Sequence, residues 1–270
     1  MTKFEMRDVV PVKPAAPWVG GKNQLSRRLS WMIDAQPHDA YVEVFAGMAG
    51  VFLKRRRAPR TEVINDLNKD VATFFRILQN HYEAFMDMLR WQLTSRAEFE
   101  RLNGMDPERL TDLQRAARFL YLQKTAFGGK VAGRTFGLAE NGARFDVTKL
   151  AEILAAVHER LTGVIIECQP WQKLIDRWDR PGTLFYMDPP YYGTEHYYGR
   201  GMFDRSEFEA IAARLKTLRG AFILTLNDLP EVRQIFDGFS IEAVELKYTL
   251  AGNDNAKRAG EVIITGGGRA

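Results

Sequence analysis

The stretch from residue 41 to residue 66 constrains the fold more than any other. Tyr41-Val42-Glu43-Val44-Phe45 reads as a short strand and Ala46-Gly47-Met48-Ala49-Gly50 as a glycine-containing turn. Val51, Phe52 and Leu53 then start a helix, and Glu62-Val63-Ile64-Asn65-Asp66 is a second strand with an acid at its end. Strand, glycine turn, helix, strand is the opening of a nucleotide-binding α/β sheet. Further apolar runs continue it: Val164-Ile165-Ile166, Leu184-Phe185-Tyr186-Met187 and residues 221–226. Such runs read as strands buried on both faces of a parallel sheet. Residues 241–246 and 262–264 are expected to add an antiparallel edge hairpin around a loop at 251–260. Between the later strands, Ser206 and Glu209 form a capping-box pair, and Phe208, Ile211, Ala212, Leu215 and Leu218 give a helical stripe.

The sheet is interrupted. Val71, Phe74, Phe75, Leu78, Tyr82, Phe85, Met86 and Leu89 recur at helical spacing through residues 70–93, and a second helical pattern covers 113–123. Residues 127–142 then carry Gly128, Gly129, Gly133, Gly137 and Gly142 among Lys130, Arg134 and Asn141, which describes a positively charged, loop-rich surface. Arg55-Arg56-Arg57 reads as a solvated helix face. With 270 residues, 46% of them hydrophobic, the chain can bury a core for one large domain plus such an insertion. A formal charge of +4 is compatible with a polyanionic partner. The single cysteine, Cys168, excludes an internal disulfide and a cysteine zinc site, and histidines 38, 81, 158 and 196 show no ligand spacing, so no metal is expected. The first residues lack the apolar core of a signal peptide, and no apolar run approaches the ~20 residues of a membrane helix. A soluble, cytoplasmic protein is the expectation.

Three acids stand at strand ends: Glu43, Asp66 and Asp188. Any one alone is ordinarily a solvated loop carboxylate; three at one edge of a sheet point to a site. Asp66 lies 19 positions after Gly47, where a ribose-binding acid falls. The turn is not G-x-G-x-x-G, so a cofactor without a pyrophosphate fits it better. Trp18-Val19-Gly20-Gly21-Lys22 offers an aromatic, a flexible backbone and a cation suited to a zwitterionic ligand. Asp188-Pro189-Pro190-Tyr191 supplies a carboxylate that accepts from an amine, prolines that fix the backbone and expose a carbonyl, and an aromatic face for a flat ring. These parts suit an extruded adenine.

Phe45-x-Gly47 followed by Asp188-Pro-Pro-Tyr191, with Trp-x-Gly-Gly-Lys ahead of both, resembles the Dam-type family of adenine-N6 DNA methyltransferases, and the likeness runs from Trp18 to the end of the chain. The resemblance implies a Rossmann-like S-adenosylmethionine-dependent catalytic domain, residues 1–74 and 161–270, interrupted by a target-recognition domain at 75–160. It implies that Asp188, Pro189, Pro190 and Tyr191 hold the flipped base. Trp18, Gly21, Lys22, Glu43, Phe45, Gly47, Asp66 and Asp188 would bind S-adenosyl-L-methionine, with Pro170 and Trp171 near its adenine. Lys124, Lys130, Arg134 and Arg144 are the expected contacts to double-stranded DNA. Gln123, Lys124 and Gly128 stand where the family more commonly has Asn, Arg and Asn, so the GATC target of close relatives is not carried over. The expected activity is site-specific N6-adenine methylation of DNA. An RNA adenine methyltransferase and an inactive DNA-binding module are the alternatives. A monomer is expected, although no residue specifies the oligomeric state.

Overall fold

A computed structural model describes residues 5–22, 24–131, 133–137, 144–194, 203–247 and 258–268. In chain order its elements are β1 (Arg7–Asp8), α1 (Ser26–Ala35), β2 (Ala40–Glu43), β3 (Arg57–Ala58), β4 (Thr61–Asn65), α2 (Lys69–Asn80), α3 (Tyr82–Leu89), α4 (Arg96–Asn103), α5 (Asp112–Thr125) and α6 (Val147–Arg160). There follow β5 (Ile165–Glu167), α7 (Trp171–Trp178), β6 (Thr183–Met187), α8 (Ser206–Lys216), β7 (Ala221–Asn227), α9 (Pro230–Ile235), β8 (Ser240–Lys247) and β9 (Arg258–Gly267).

Seven strands form one sheet in the order β5-β4-β2-β6-β7-β9-β8, while β1 and β3 make a separate antiparallel pair. The five strands from β5 to β7 are parallel, and β9 runs antiparallel to both β7 and β8. The expected hairpin is therefore present, with β9 inside the sheet and β8 at the edge; its loop lies outside the described residues. Alternate residues divide between two cores because successive side chains leave a strand on opposite faces. Tyr41, Ile64, Tyr186, Ile223 and Ile263 join the core shared with α1 and α2–α6. Val42, Val63, Phe185, Phe222 and Ile264 join the one under α7, α8 and α9. Burial on both faces explains why these strands read as unbroken apolar runs.

The chain leaves β2 toward β4 and β5 on one side and returns to β6 on the other. The strand order reverses between β2 and β6, and a ligand crevice is expected outside their carboxyl ends. The insertion, α2–α6, fills the β4-to-β5 connection. The expected boundary at residue 74 falls inside α2, which packs on α5 while its own Val71 and Phe74 join the core of the sheet face.

Several local expectations are corrected. The long helix over 70–93 is two helices, broken at His81 (φ −134°, ψ 39°) and stopping at Leu89. After the glycine turn there is only a short 3₁₀ turn, Phe52–Lys54, because the backbone is extended by Arg55. Arg55 is no solvated residue: it is wholly buried, lies 3.7 Å over the Tyr41 ring and pairs with buried Glu62. Glu62 also takes a bidentate pair from Arg160 (2.6 and 2.8 Å), tying the last helix of the insertion to β4. Ser206 does not cap α8; Asp204 accepts from its N–H and its hydroxyl instead.

Candidate active site

The carboxyl ends of β2, β4 and β6 open into a cavity. Trp18, Gly21, Lys22, Glu43, Phe45, Gly47, Asp66, Trp171 and Asp188 all line it. Residues separated by up to 170 positions in sequence thus meet because parallel strands end together. Pro190 lines it too, and Pro170 stands just before α7, between the lining residues Gln169 and Trp171.

The glycine turn is shaped by two neighbours. Gly47 has φ +51°, and a Cβ there would overlap the Trp18 indole, so only glycine lets the ring lie on the turn. Below, Asp66 accepts from the N–H groups of Gly47 (2.8 Å) and Asn68 (2.9 Å). Burial pushes the Asp66 carboxyl up to about 6 against the pull of those two donors. Asn65, to which the sequence reading gave a place in the strand and no role, stitches three strand ends together. Its amide donates to Val44 O (2.9 Å) and Gln169 O (3.1 Å) and accepts from Gln169 N–H (2.9 Å). Phe203 meets Phe45 edge to face at 6.0 Å and closes the cavity beside it. Trp171 donates to Glu207 at 2.6 Å, which fixes its ring in the wall. Glu43 accepts from Tyr41 (2.6 Å), and burial raises it to about 7.

At the other end of the cavity, Asp188 is held from two directions. Its Oδ1 accepts from Lys22 Nζ (2.7 Å) and from Thr225 Oγ1 (2.9 Å), while Oδ2 has no donor among the described residues. Burial raises the Asp188 pKa, and Lys22 first and Thr225 after it oppose the rise. Lys22 is itself buried, donates to the Tyr191 hydroxyl at 2.7 Å and stands 4.0 Å from buried Glu261 of β9. The lysine expected to meet a ligand carboxylate is thus bonded to both polar groups of the Asp-Pro-Pro-Tyr segment. Tyr192 N–H and C=O each bond Asn227 at 3.0 Å, so β7 fixes the backbone just beyond that segment. Thr225 and Asn227 escaped the sequence reading and Glu261 was given no role there, since their place depends on strand pairing and no local pattern marks them.

The basic residues of the insertion lie apart from the cavity. Lys130 is exposed and Lys124 half-buried, its ammonium pKa lowered by that burial. Arg134 is half-buried and burial lowers it to about 10. Arg144 folds back onto Ala126 O (3.2 Å), over Gly137. Phe127, at the turn after α5, is 60% exposed. Among the described residues, no group of three His, Cys, Asp or Glu could hold a metal ion, and no helix is long and apolar enough to cross a membrane.

The model of the D12 class N6 adenine-specific DNA methyltransferase family matches residues 18–250. The chain is also similar to the type II methyltransferase M.CviBI of Paramecium bursaria Chlorella virus NC1A, 23% identical over 259 residues covering 94% of this chain and 97% of that protein. A second relative, the type II methyltransferase M1.LlaDCHI of Lactococcus lactis subsp. cremoris, is 22% identical over 281 residues, covering 96% of this chain and 97% of its own length.

Proposed function

The chain belongs to the D12 class of N6 adenine-specific DNA methyltransferases, and from that premise we propose that it methylates an adenine swung out of double-stranded DNA, with S-adenosyl-L-methionine as the methyl donor. One observation carries the assignment of the chemistry: Asp188 opens on the cavity with Oδ1 fixed by Lys22 and Thr225 and with Oδ2 left to accept.

The residues present fit the donor. The Gly47 turn, bare of a Cβ, lets the Trp18 indole lie against it as one wall of the cavity, and Asp66 faces the same cavity as the acid for ribose hydroxyls. Phe45 and Trp171 supply apolar walls for the adenosine, and Trp18 and Gly21 border the methionine end. When bound, S-adenosylmethionine supplies an electrophilic methyl group on a cationic sulfur. Glu43 and Asp188 set two acids in the cavity, which suits a cation.

Adenine N6 is a weak nucleophile because its lone pair is delocalised into the ring. Asp188 Oδ2 and the Pro189 carbonyl accept from its two N–H groups and favour the pyramidal amine needed for in-line attack. Lys22 and Thr225 hold the carboxylate ionised and aimed. Tyr191, anchored through its hydroxyl, presents its ring to the extruded base, whose flipping costs a few kcal/mol. After transfer the amine proton departs by way of the Asp188 carboxylate or solvent. Residues 75–160 are the target-recognition part, with Lys124, Lys130, Arg134 and Arg144 toward phosphates and bases and Phe127 exposed among them.

The test is Asp188→Ala. N6-methyladenine formation on duplex DNA with a tritiated donor should fall to background, while binding of the unreactive donor analogue sinefungin persists within a few-fold. Methylation at the wild-type rate would remove Asp188 from the mechanism. Single-stranded DNA and RNA competitors in the same assay should compete more weakly than duplex DNA.

A further inference from the structure

Residues 17–22 form a strap that touches the insertion and both halves of the site. Its Pro17 carbonyl accepts from Gln123 Nε2 (2.8 Å), and its Val19 N–H donates to Gly129 O (3.2 Å). Its Trp18 indole covers Gly47, and its Lys22 holds Asp188 and Tyr191. Gln123 lies on α5, just before the turn Phe127–Gly129, and the same Nε2 also donates to Gly129 O at 2.6 Å. One side-chain amide thus clamps that turn against the strap.

Two details show that the clamp is built for this contact. A Cβ on Gly129, whose φ is +66°, would stand 3.1 Å from Pro17 C, Pro17 O and Trp18 N, so the glycine is what permits the close approach. Gln123 is wholly buried, and its Oε1 has no donor among the described residues. Turning the amide over would set that oxygen against two carbonyl oxygens, so the two donated bonds fix its orientation. A buried acceptor left without a donor is unfavourable, and packing alone gives no reason to keep it.

We propose that Gln123 is a positioning residue through which the turn Phe127–Gly129 sets the placement of Trp18 and Lys22, so that duplex DNA and the methyl donor bind cooperatively. This rests on the reading that the insertion carries the DNA contacts. The turn is exposed at its tip, and Gly128 has open space where a side chain would be. DNA that seats the turn fixes Gly129 O, and with it the strap. A ligand of either site thereby favours the arrangement the other needs, and the coupling is reciprocal.

Sinefungin binding is titrated with and without unmethylated genomic duplex DNA. In the wild type, DNA should tighten sinefungin by about fivefold or more, the low end of ordinary coupling. Gln123→Met keeps the length and volume of the side chain but gives no hydrogen bond. It should reduce the effect to under about twofold while DNA-free affinity changes less than the coupling does. Should its melt show loss of the fold, Gln123→Asn, with the amide kept and one methylene removed, should still diminish the effect. Full wild-type coupling in these variants overturns the proposal. A wild type that methylates duplex DNA without any linkage overturns the proposal and leaves the function standing, whereas one that binds no DNA overturns both.

Discussion

Replacing Thr225 by valine asks how much the hold on Asp188 matters, because it removes one hydroxyl and keeps a β-branched shape in a position with no exposed surface. The hydroxyl lies 2.9 Å from Asp188 Oδ1 and 3.2 Å from the Tyr186 hydroxyl. With one proton to give, Thr225 donates to the carboxylate and receives from Tyr186. A hydrogen bond to a charged group is worth about 1.5–3 kcal/mol. Expressed fully in the transition state, that loss slows methyl transfer by about 10- to 150-fold. A second readout separates aiming from folding. Burial already raises the Asp188 pKa and Thr225 is one of the groups that oppose it, so the variant's pKa lies higher still. The carboxylate is the active form; activity is lost as pH falls through the folded pKa, and the variant loses it at a higher pH than the wild type. Thr225→Ser restores the donor and both properties. The orphaned Tyr186 hydroxyl also lowers stability by about 1–3 kcal/mol, visible in a urea melt. Single-turnover rates with tritiated donor across pH are the assay. A Thr225→Val rate within about twofold of wild type, with the acid limb unmoved, refutes the argument.

Gly47→Ala places a Cβ in the Trp18 indole and asks alanine for φ +51°, so calorimetry with sinefungin should show affinity reduced by about tenfold or more. Donor affinity should weaken as pH falls through about 6, where Asp66 takes up a proton, and Asp66→Asn should flatten that profile. On folding the same shift acts the other way: with its pKa raised from 3.8 to about 6, Asp66 contributes stability below about pH 4 and loses it as pH rises through 6, which Asp66→Asn should remove from the pH dependence of urea midpoints. Lys22→Met should cost methylation about a hundredfold and raise the acid limb. Lys22→Arg should not rescue it, since a planar fork does not reproduce a point donor in a side-chain site only 2% exposed.

The strands and the acids at their ends were legible because burial on both faces leaves an unbroken apolar run such as Leu184 to Met187, and because Glu43, Asp66 and Asp188 together mark one edge of the sheet where any one alone would not. Helix α1 escaped notice. Its buried Leu29 and Ile33 are separated by Ser30, an exposed Trp31 and Met32, so the apolar stripe does not follow the apolar residues. Arg55 looked like one of three solvated arginines, and its buried partner Glu62 belongs to β4, beyond β3 and a turn that sequence spacing does not reveal. At α8 the Ser206 hydroxyl is taken by Asp204, two residues earlier, whose carboxylate accepts from both its N–H and its hydroxyl, so the serine is the first residue of the helix and not its cap. Thr225 and Glu261 matter through the pairing of β6, β7 and β9, where register decides which side chains share a face. No window of neighbouring residues encodes that.

Lys22 comes from the first tenth of the chain and Glu261 from its last strand, yet they stand 4.0 Å apart. The Lys22–Glu261 contact therefore forms only once β9 has paired between β7 and β8, whatever the rest of the sheet has done before. Contacts of such long sequence separation form late and slowly.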